Sequence, residues 1–255
     1  MMKPISLQLY SLREASKTDF SAVLERVSAI GYAGVEPFHP FGMTARQLRE
    51  RVEGLGMQIS SSHWPWANRT PVNEVIDTIK ALGLPRAAGG FGPDDFKDRA
   101  AIERTAATTN SLVEALGAHG VELFLHNHWW EYELLDGAPK YRLLQQLCPN
   151  VKFEIDTYWA SNFGAVNVPA EIARVRDRTP LLHIKDGPLV KDQPNVAVGG
   201  GMMDIAGVIA AADAAVLEWL IVEFDACATD MMTVVDASFR YLTAAGLGRG
   251  NKVAS

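Results

Sequence analysis

The stretch from Leu123 to Glu133, LFLHNHWWEYE, concentrates side chains that can do chemistry. An apolar run leads into His126 and His128, followed by Trp129, Trp130, Glu131 and Glu133. Side chains alternate along a strand, so both histidines fall on one face if the strand runs through them. An imidazole pair with carboxylates just beyond it is costly to bury unless it binds something. The spacing points to one wall of a metal-assisted site for a sugar, with later strands supplying the other walls.

Comparable groups close other β-rich runs. Glu36 and His39 follow the second run, and His63, Trp64 and Trp66 end the third. Asp156 and Trp159 end the sixth, His183, Lys185 and Asp186 the seventh, and Glu223 and Asp225 the eighth. Five of the six histidines fall at such ends; His119 sits in a helix tail. Taken singly, each has a structural reading. Asp156 can cap the turn after it, the tryptophans can be core residues, and Glu223, inside Leu220–Phe224, can belong to a buried ion pair. Gathered at one rim, Asp, His and Glu form a mixed nitrogen and oxygen set suited to Mn²⁺, Zn²⁺, Co²⁺ or Mg²⁺. Two carboxylates with one or two imidazoles favour Mn²⁺ or Zn²⁺.

A repeating backbone must bring these ends together. Short β-rich runs alternate with longer amphipathic ones, which predicts parallel strands joined by crossover helices. The strands are expected at Ile5–Leu9, Gly34–Phe38, Gln58–His63, Arg86–Phe91, Glu122–His128, Val151–Thr157, Leu181–Lys185 and Trp219–Phe224. Thr18 or Asp19, Thr44 and Asp204 read as helix N-caps, and Gly31, Gly56 and Gly83 as helix ends. Eight such units in 255 residues predict an α/β fold closed as a (β/α)8 TIM barrel, one domain over residues 1–255. The tail from Gly246 is expected to fray.

Composition narrows the setting. A formal net charge of −6 argues against nucleic acid as a partner. No apolar run reaches membrane-span length, and the N-terminal residues lack a signal-peptide pattern, so no membrane is expected. Two cysteines give no disulfide framework and fit a reducing cytoplasm. A small carbohydrate is the expected partner; a homodimer stays open.

Nearly the whole chain resembles the xylose isomerase-like barrels, a superfamily of sugar phosphate isomerases/epimerases that also includes the family 2 AP endonucleases. The residues that carry the likeness are His126-Asn127-His128 with Glu131, Asp156-Thr157-Tyr158-Trp159, Leu182-His183-Ile184-Lys185-Asp186, and Glu218-Trp219 leading to Val222-Glu223. The resemblance implies a divalent ion held by Asp156, His183 and Glu223, with His126 where relatives of the ketose epimerase type have Glu. It also implies enediolate chemistry, in which Glu223 or His126 moves a proton next to a carbonyl. Lys185 can hold a developing oxyanion, protonate a leaving oxygen, or form a salt bridge to Asp186 or Glu154. His63, His128 and Glu131 would bond sugar hydroxyls, and Trp129 and Trp159, with Trp64, Trp66 and Trp130, are the candidates to stack on the sugar or pack in the core. Two departures stand beside His126. Trp159 replaces a common His, and Val198-Gly199-Gly200-Gly201 lacks a Glu often found between its glycines. The lost Glu raises a lyase, dehydratase or 3-keto-glycoside-cleaving activity as the alternative. A metal-free sugar-binding barrel is a further one. The trinuclear site of the AP endonucleases needs more ligands than this chain offers.

Overall fold

A computed structural model describes residues 2–251. Eight parallel strands form its centre: β1 (Lys3–Gln8), β2 (Gly34–Glu36), β3 (Gln58–Ile59), β4 (Arg86–Gly89), β5 (Glu122–His126), β6 (Lys152–Asp156), β7 (Leu181–Ile184) and β8 (Trp219–Val222). The crossovers carry α1 (Arg13–Ile30), α2 (Ala45–Gly54), α3 (Val72–Leu82), α4 (Arg99–Gly117), α5 (Lys140–Leu147), α6 (Val168–Val175) and α7 (Ile205–Ala211); α8 (Met231–Ala244) follows β8. Around the sheet the order is β3, β2, β1, β8, β7, β6, β5, β4. This is the TIM barrel that the alternation predicts. Its strands are covered on both faces, which is why they read as near-continuous apolar runs. In β6, Phe153 and Ile155 alternate with Glu154 and Asp156, and all four are buried.

The barrel has a seam. Among the described residues, β3 and β4 share no strand ladder. The gap is closed just beyond β3. Ala67 N–H donates to Ala88 O at 2.8 Å, and the Asn68 amide exchanges bonds with the Gly90 backbone at 2.7 and 3.2 Å.

Local chemistry sets the helix starts. Asp19 breaks α1, with extended backbone (φ −153°, ψ 91°), and its carboxylate accepts from Ala22 N–H at 2.9 Å. It is thus an N-cap inside a helix that begins earlier than expected. Thr44 and Asp204 cap α2 and α7 through their side chains, as predicted.

Several strands are shorter than the sequence suggests. β5 stops at His126 and β3 at Ile59, because the following residues leave the ladder to build the rim. His126 therefore lies on the strand, and His128 lies beyond it. The tail is also more ordered than expected: Gly248–Arg249 pairs in parallel with Lys3–Pro4 at the start of β1. Residues 252–255 lie outside the described range. Among the described residues, no helix is long and apolar enough to cross a membrane.

Candidate active site

At the carboxyl ends of the strands lies a cavity of about 240 Å³. His63, His126, His128, Lys185, Glu223 and Asp225 give its polar lining; Tyr10, Phe38, Trp66 and Trp159 give aromatic walls. The inner side of this mouth is a dense buried network of charged groups, arranged in two layers by the alternation of β6.

The outer layer belongs to Asp156 and Glu223. Asn127 clamps the end of β6: its side chain donates to Asp156 O at 3.2 Å and accepts from Asp156 N–H at 3.0 Å. Asp156 Oδ1 caps the short helix that follows, accepting from Trp159 N–H at 2.9 Å. Its Oδ2 faces inward. Lys185 Nζ lies 2.8 Å from that atom, 2.8 Å from Glu223 Oε2 and 2.8 Å from Asp225 Oδ2. The Lys185 ammonium is the ion-pair partner of this buried Oδ2, which has no aligned hydrogen bond. His183 joins this layer through Nδ1, 2.8 Å from Glu223 Oε2.

The inner layer belongs to Glu36 and Glu154. His183 Nε2 lies 2.8 Å from Glu36 Oε1, and His63 Nε2 lies 2.5 Å from Glu154 Oε2. Gln8 and Ser61 both donate to the Glu36 carboxylate. His126 Nδ1 is 3.2 Å from Glu154 Oε2 but has no aligned hydrogen-bond partner.

These neighbours set the charges. Burial alone would push the carboxylates up, yet Lys185 and His183 hold Glu223 well below its usual range. His183 and His63 do the same for Glu154. Burial outweighs Lys185 at Asp156, whose carboxyl is raised. For His183, burial opposes protonation, but Glu154, Glu223 and Glu36 outweigh it and raise the imidazole. His126 is pushed well below its ordinary value by burial and by the neighbouring imidazoles. Lys185 is likewise raised against burial by Asp156, Asp225 and Glu223.

The predicted metal set converges. One ligand atom each from His126, Asp156, His183 and Glu223 lies within 4.8 Å of the others, and all four residues are buried. The donor chemistry, two imidazoles and two carboxylates, fits a divalent ion. His63, His128 and Trp159 reach the cavity as predicted. Trp129 instead lines an adjoining cleft of about 300 Å³, together with Phe163 and Trp159. Glu131 turns away from the cavity, its buried carboxylate accepting from His128 N–H at 2.9 Å. Lys185 pairs with Asp156, Glu223 and Asp225 rather than with Asp186 or Glu154. Asp186 anchors the glycine loop, accepting from the N–H groups of Gly187, Gly199, Gly201 and Met203 at 2.8–3.1 Å.

Sequence reasoning left Glu154 out of the strand-end set, and it collected Glu36 and Asp225 there without giving either a role. The signal for Glu154 was present: it lies two residues before Asp156 and shares its face.

A family model described as xylose isomerase-like TIM barrel matches residues 24–244. The chain belongs to this family. Solved structures share its fold at low identity. One is a sugar phosphate isomerase/epimerase from Parabacteroides distasonis, 22% identical, covering 98% of this chain and 96% of that one with a TM-score of 0.78. Another is the probable 3-DHS dehydratase AsbF from Bacillus anthracis, 12% identical, covering 94% and 98%, TM-score 0.72. A third is a D-psicose 3-epimerase solved in the presence of D-fructose, 15% identical, covering 97% and 100%, TM-score 0.66. No curated protein matches the chain.

Proposed function

We propose that this barrel is a divalent-metal-dependent isomerase or epimerase acting on a sugar or keto-sugar. The observation that carries the reading is the meeting of His126, Asp156, His183 and Glu223 within 4.8 Å, beside a polar cavity walled by aromatic rings. These four side chains would hold the ion, with Mn²⁺ or Zn²⁺ suiting the donors best. When bound, the ion supplies Lewis acidity at a substrate carbonyl.

The protein's own groups handle the protons. Glu223 is anionic and reaches the cavity, so it takes the proton from the carbon next to the carbonyl. Paired to Lys185 it is a weak base. As negative charge develops on the substrate oxygen, the Lys185 ammonium is drawn to it, and Glu223 loses part of the partner that suppressed its basicity. His126 stands three strand positions away around the barrel and supplies a second proton-transfer group. Trp66 and Trp159 present flat faces to a sugar ring, and His63 and His128 present ring nitrogens to its hydroxyls. The cavity's size suits a single sugar ring, and no cluster of arginines and lysines lines it, which favours an unphosphorylated substrate.

A second reading is elimination on the same intermediate. It is favoured by His126, which makes the two proton-transfer groups chemically unlike and removes a symmetrical pair of carboxylates. Incubation with free ketohexoses and with 3-keto-glycosides in D₂O separates the two. Deuterium at the α-carbon of an intact sugar is the expected result. Release of water or an aglycone assigns the lyase reaction instead, and neither outcome in metal-loaded protein refutes both.

A further inference from the structure

We propose that the barrel contains a second cation seat, one side-chain layer below the first, built from His63, His126, Glu154 and His183. One ligand atom from each lies within 4.8 Å of the other three, and none of the four residues is more than 6% exposed. The imidazole rings form a triangle with centroid separations of 4.7, 4.8 and 5.3 Å. Glu154 on β6 closes its base.

The spacing is that of a tetrahedral site. Bonds of about 2.0–2.1 Å to a tetrahedral ion place neighbouring donors about 3.3 Å apart. Glu154 Oε2 lies 3.2 Å from His126 Nδ1 and 3.3 Å from His183 Nε2. His63 Nε2, at 2.5 Å from the same oxygen, has to draw back by about 0.8 Å. Two atoms of the seat are buried without a hydrogen-bond partner, His126 Nδ1 and Glu154 Oε1. Buried polar atoms are seldom left so.

The two seats differ in what a cation must displace. In the outer seat the Lys185 ammonium already stands 2.8 Å from both Asp156 and Glu223. No lysine or arginine contacts the four inner residues among the described ion pairs. Glu36 adds a second negative charge beside His183 and His63, at 2.8 and 3.4 Å. Three imidazoles and one carboxylate suit Zn²⁺ or Co²⁺ far better than Mg²⁺. His126 and His183 belong to both seats, His183 turning Nδ1 to the outer carboxylate and Nε2 to the inner one. The inference rests on the reading that this barrel takes up a divalent ion, and it places the ion in the inner seat while Lys185 occupies the outer one.

Full-length protein stripped by chelation and titrated calorimetrically with Co²⁺ provides the test. Glu154→Gln and His63→Gln are expected to weaken Co²⁺ binding at least tenfold, and Asp156→Asn and Glu223→Gln less than threefold. The reverse pattern overturns the inner seat and leaves the outer one, with the proposed function, intact. Folded wild-type protein that takes up no Co²⁺ overturns both. X-ray absorption of Zn²⁺-loaded wild-type protein needs no variant that must fold: three imidazole ligands support the inner seat, and two or fewer refute it.

Discussion

At the scale of single residues, Lys185 has the most to lose. It is 1% exposed and contacts three carboxylates. Removing one partner of a buried ion pair costs about 3–5 kcal/mol, because the remaining charge is stranded. Lys185→Met is expected to lower Tm by roughly 6–20 °C in chelated protein, from about 2–4 °C per kcal/mol for a domain of this size. Millimolar Mn²⁺ or Zn²⁺ then restores part of that loss in a thermal melt, since the ion can take the ammonium's place between Asp156 and Glu223. The cysteines give a pH-dependent prediction. Burial pushes both Cys148 and Cys227 up to about 11. Only the thiolate reacts, so labelling by a disulfide reagent in native protein is slow at pH 8, where about one thiol in a thousand is ionised. It accelerates about tenfold per pH unit up to that value. Unfolded protein labels fast at both positions.

Residue types at strand ends were legible because each is polar where its surroundings are apolar. The pairings were not. Lys185 lies next to Asp186 in sequence but bonds Asp225, which follows β8. Sequence neighbours on a strand point to opposite faces, and residues on adjacent strands meet. Glu131 stays out of the cavity lining for a related reason: once β5 ends at His126 the chain turns, and the carboxylate accepts from the His128 N–H.

At the scale of elements, the loop after β7 is the most constrained part of the rim. Asp186 is wholly buried and gathers four backbone N–H groups from residues up to 17 positions away. Asp186→Ala strands those donors, each worth about 1–3 kcal/mol if left buried. The expected outcome is a cut within 187–203 under limited proteolysis, in protein that still shows native far-UV circular dichroism. Gly199 has φ +87°, and an added Cβ would come within 2.3 Å of the Tyr241 ring on α8. Gly199→Ala should therefore cost about 2 kcal/mol, from strain and overlap together, in urea denaturation. Glycines marked this loop in the sequence, but nothing there showed that a single carboxylate organises them. Such a bond depends on the loop's path and not on spacing along it.

Over the whole molecule, the fold class was readable because eight strand–helix units leave few ways to bury every strand. Closure was less visible. Strand β3 has two residues and no ladder to β4, so hydrogen bonds from Ala67 and Asn68 do the joining. Segments with few cooperative bonds open first. In native-state hydrogen exchange, the Ala67 amide is expected to exchange at least about a hundredfold faster than those of Ile155 and Leu182. Equal protection would show the seam to be as firm as the rest of the barrel.

The barrel matters because it draws residues from β5, β6 and β7, and Glu223 just beyond β8, onto one point. The account is tested most directly by an anomalous-scattering map from a crystal of the full-length protein loaded with Zn²⁺. A single strong peak is predicted at about 2.0–2.2 Å from donor atoms of both His126 and His183, completed by Asp156 and Glu223 or by His63 and Glu154. A map with no peak inside the mouth of the barrel, or one only on surface carboxylates, would contradict it.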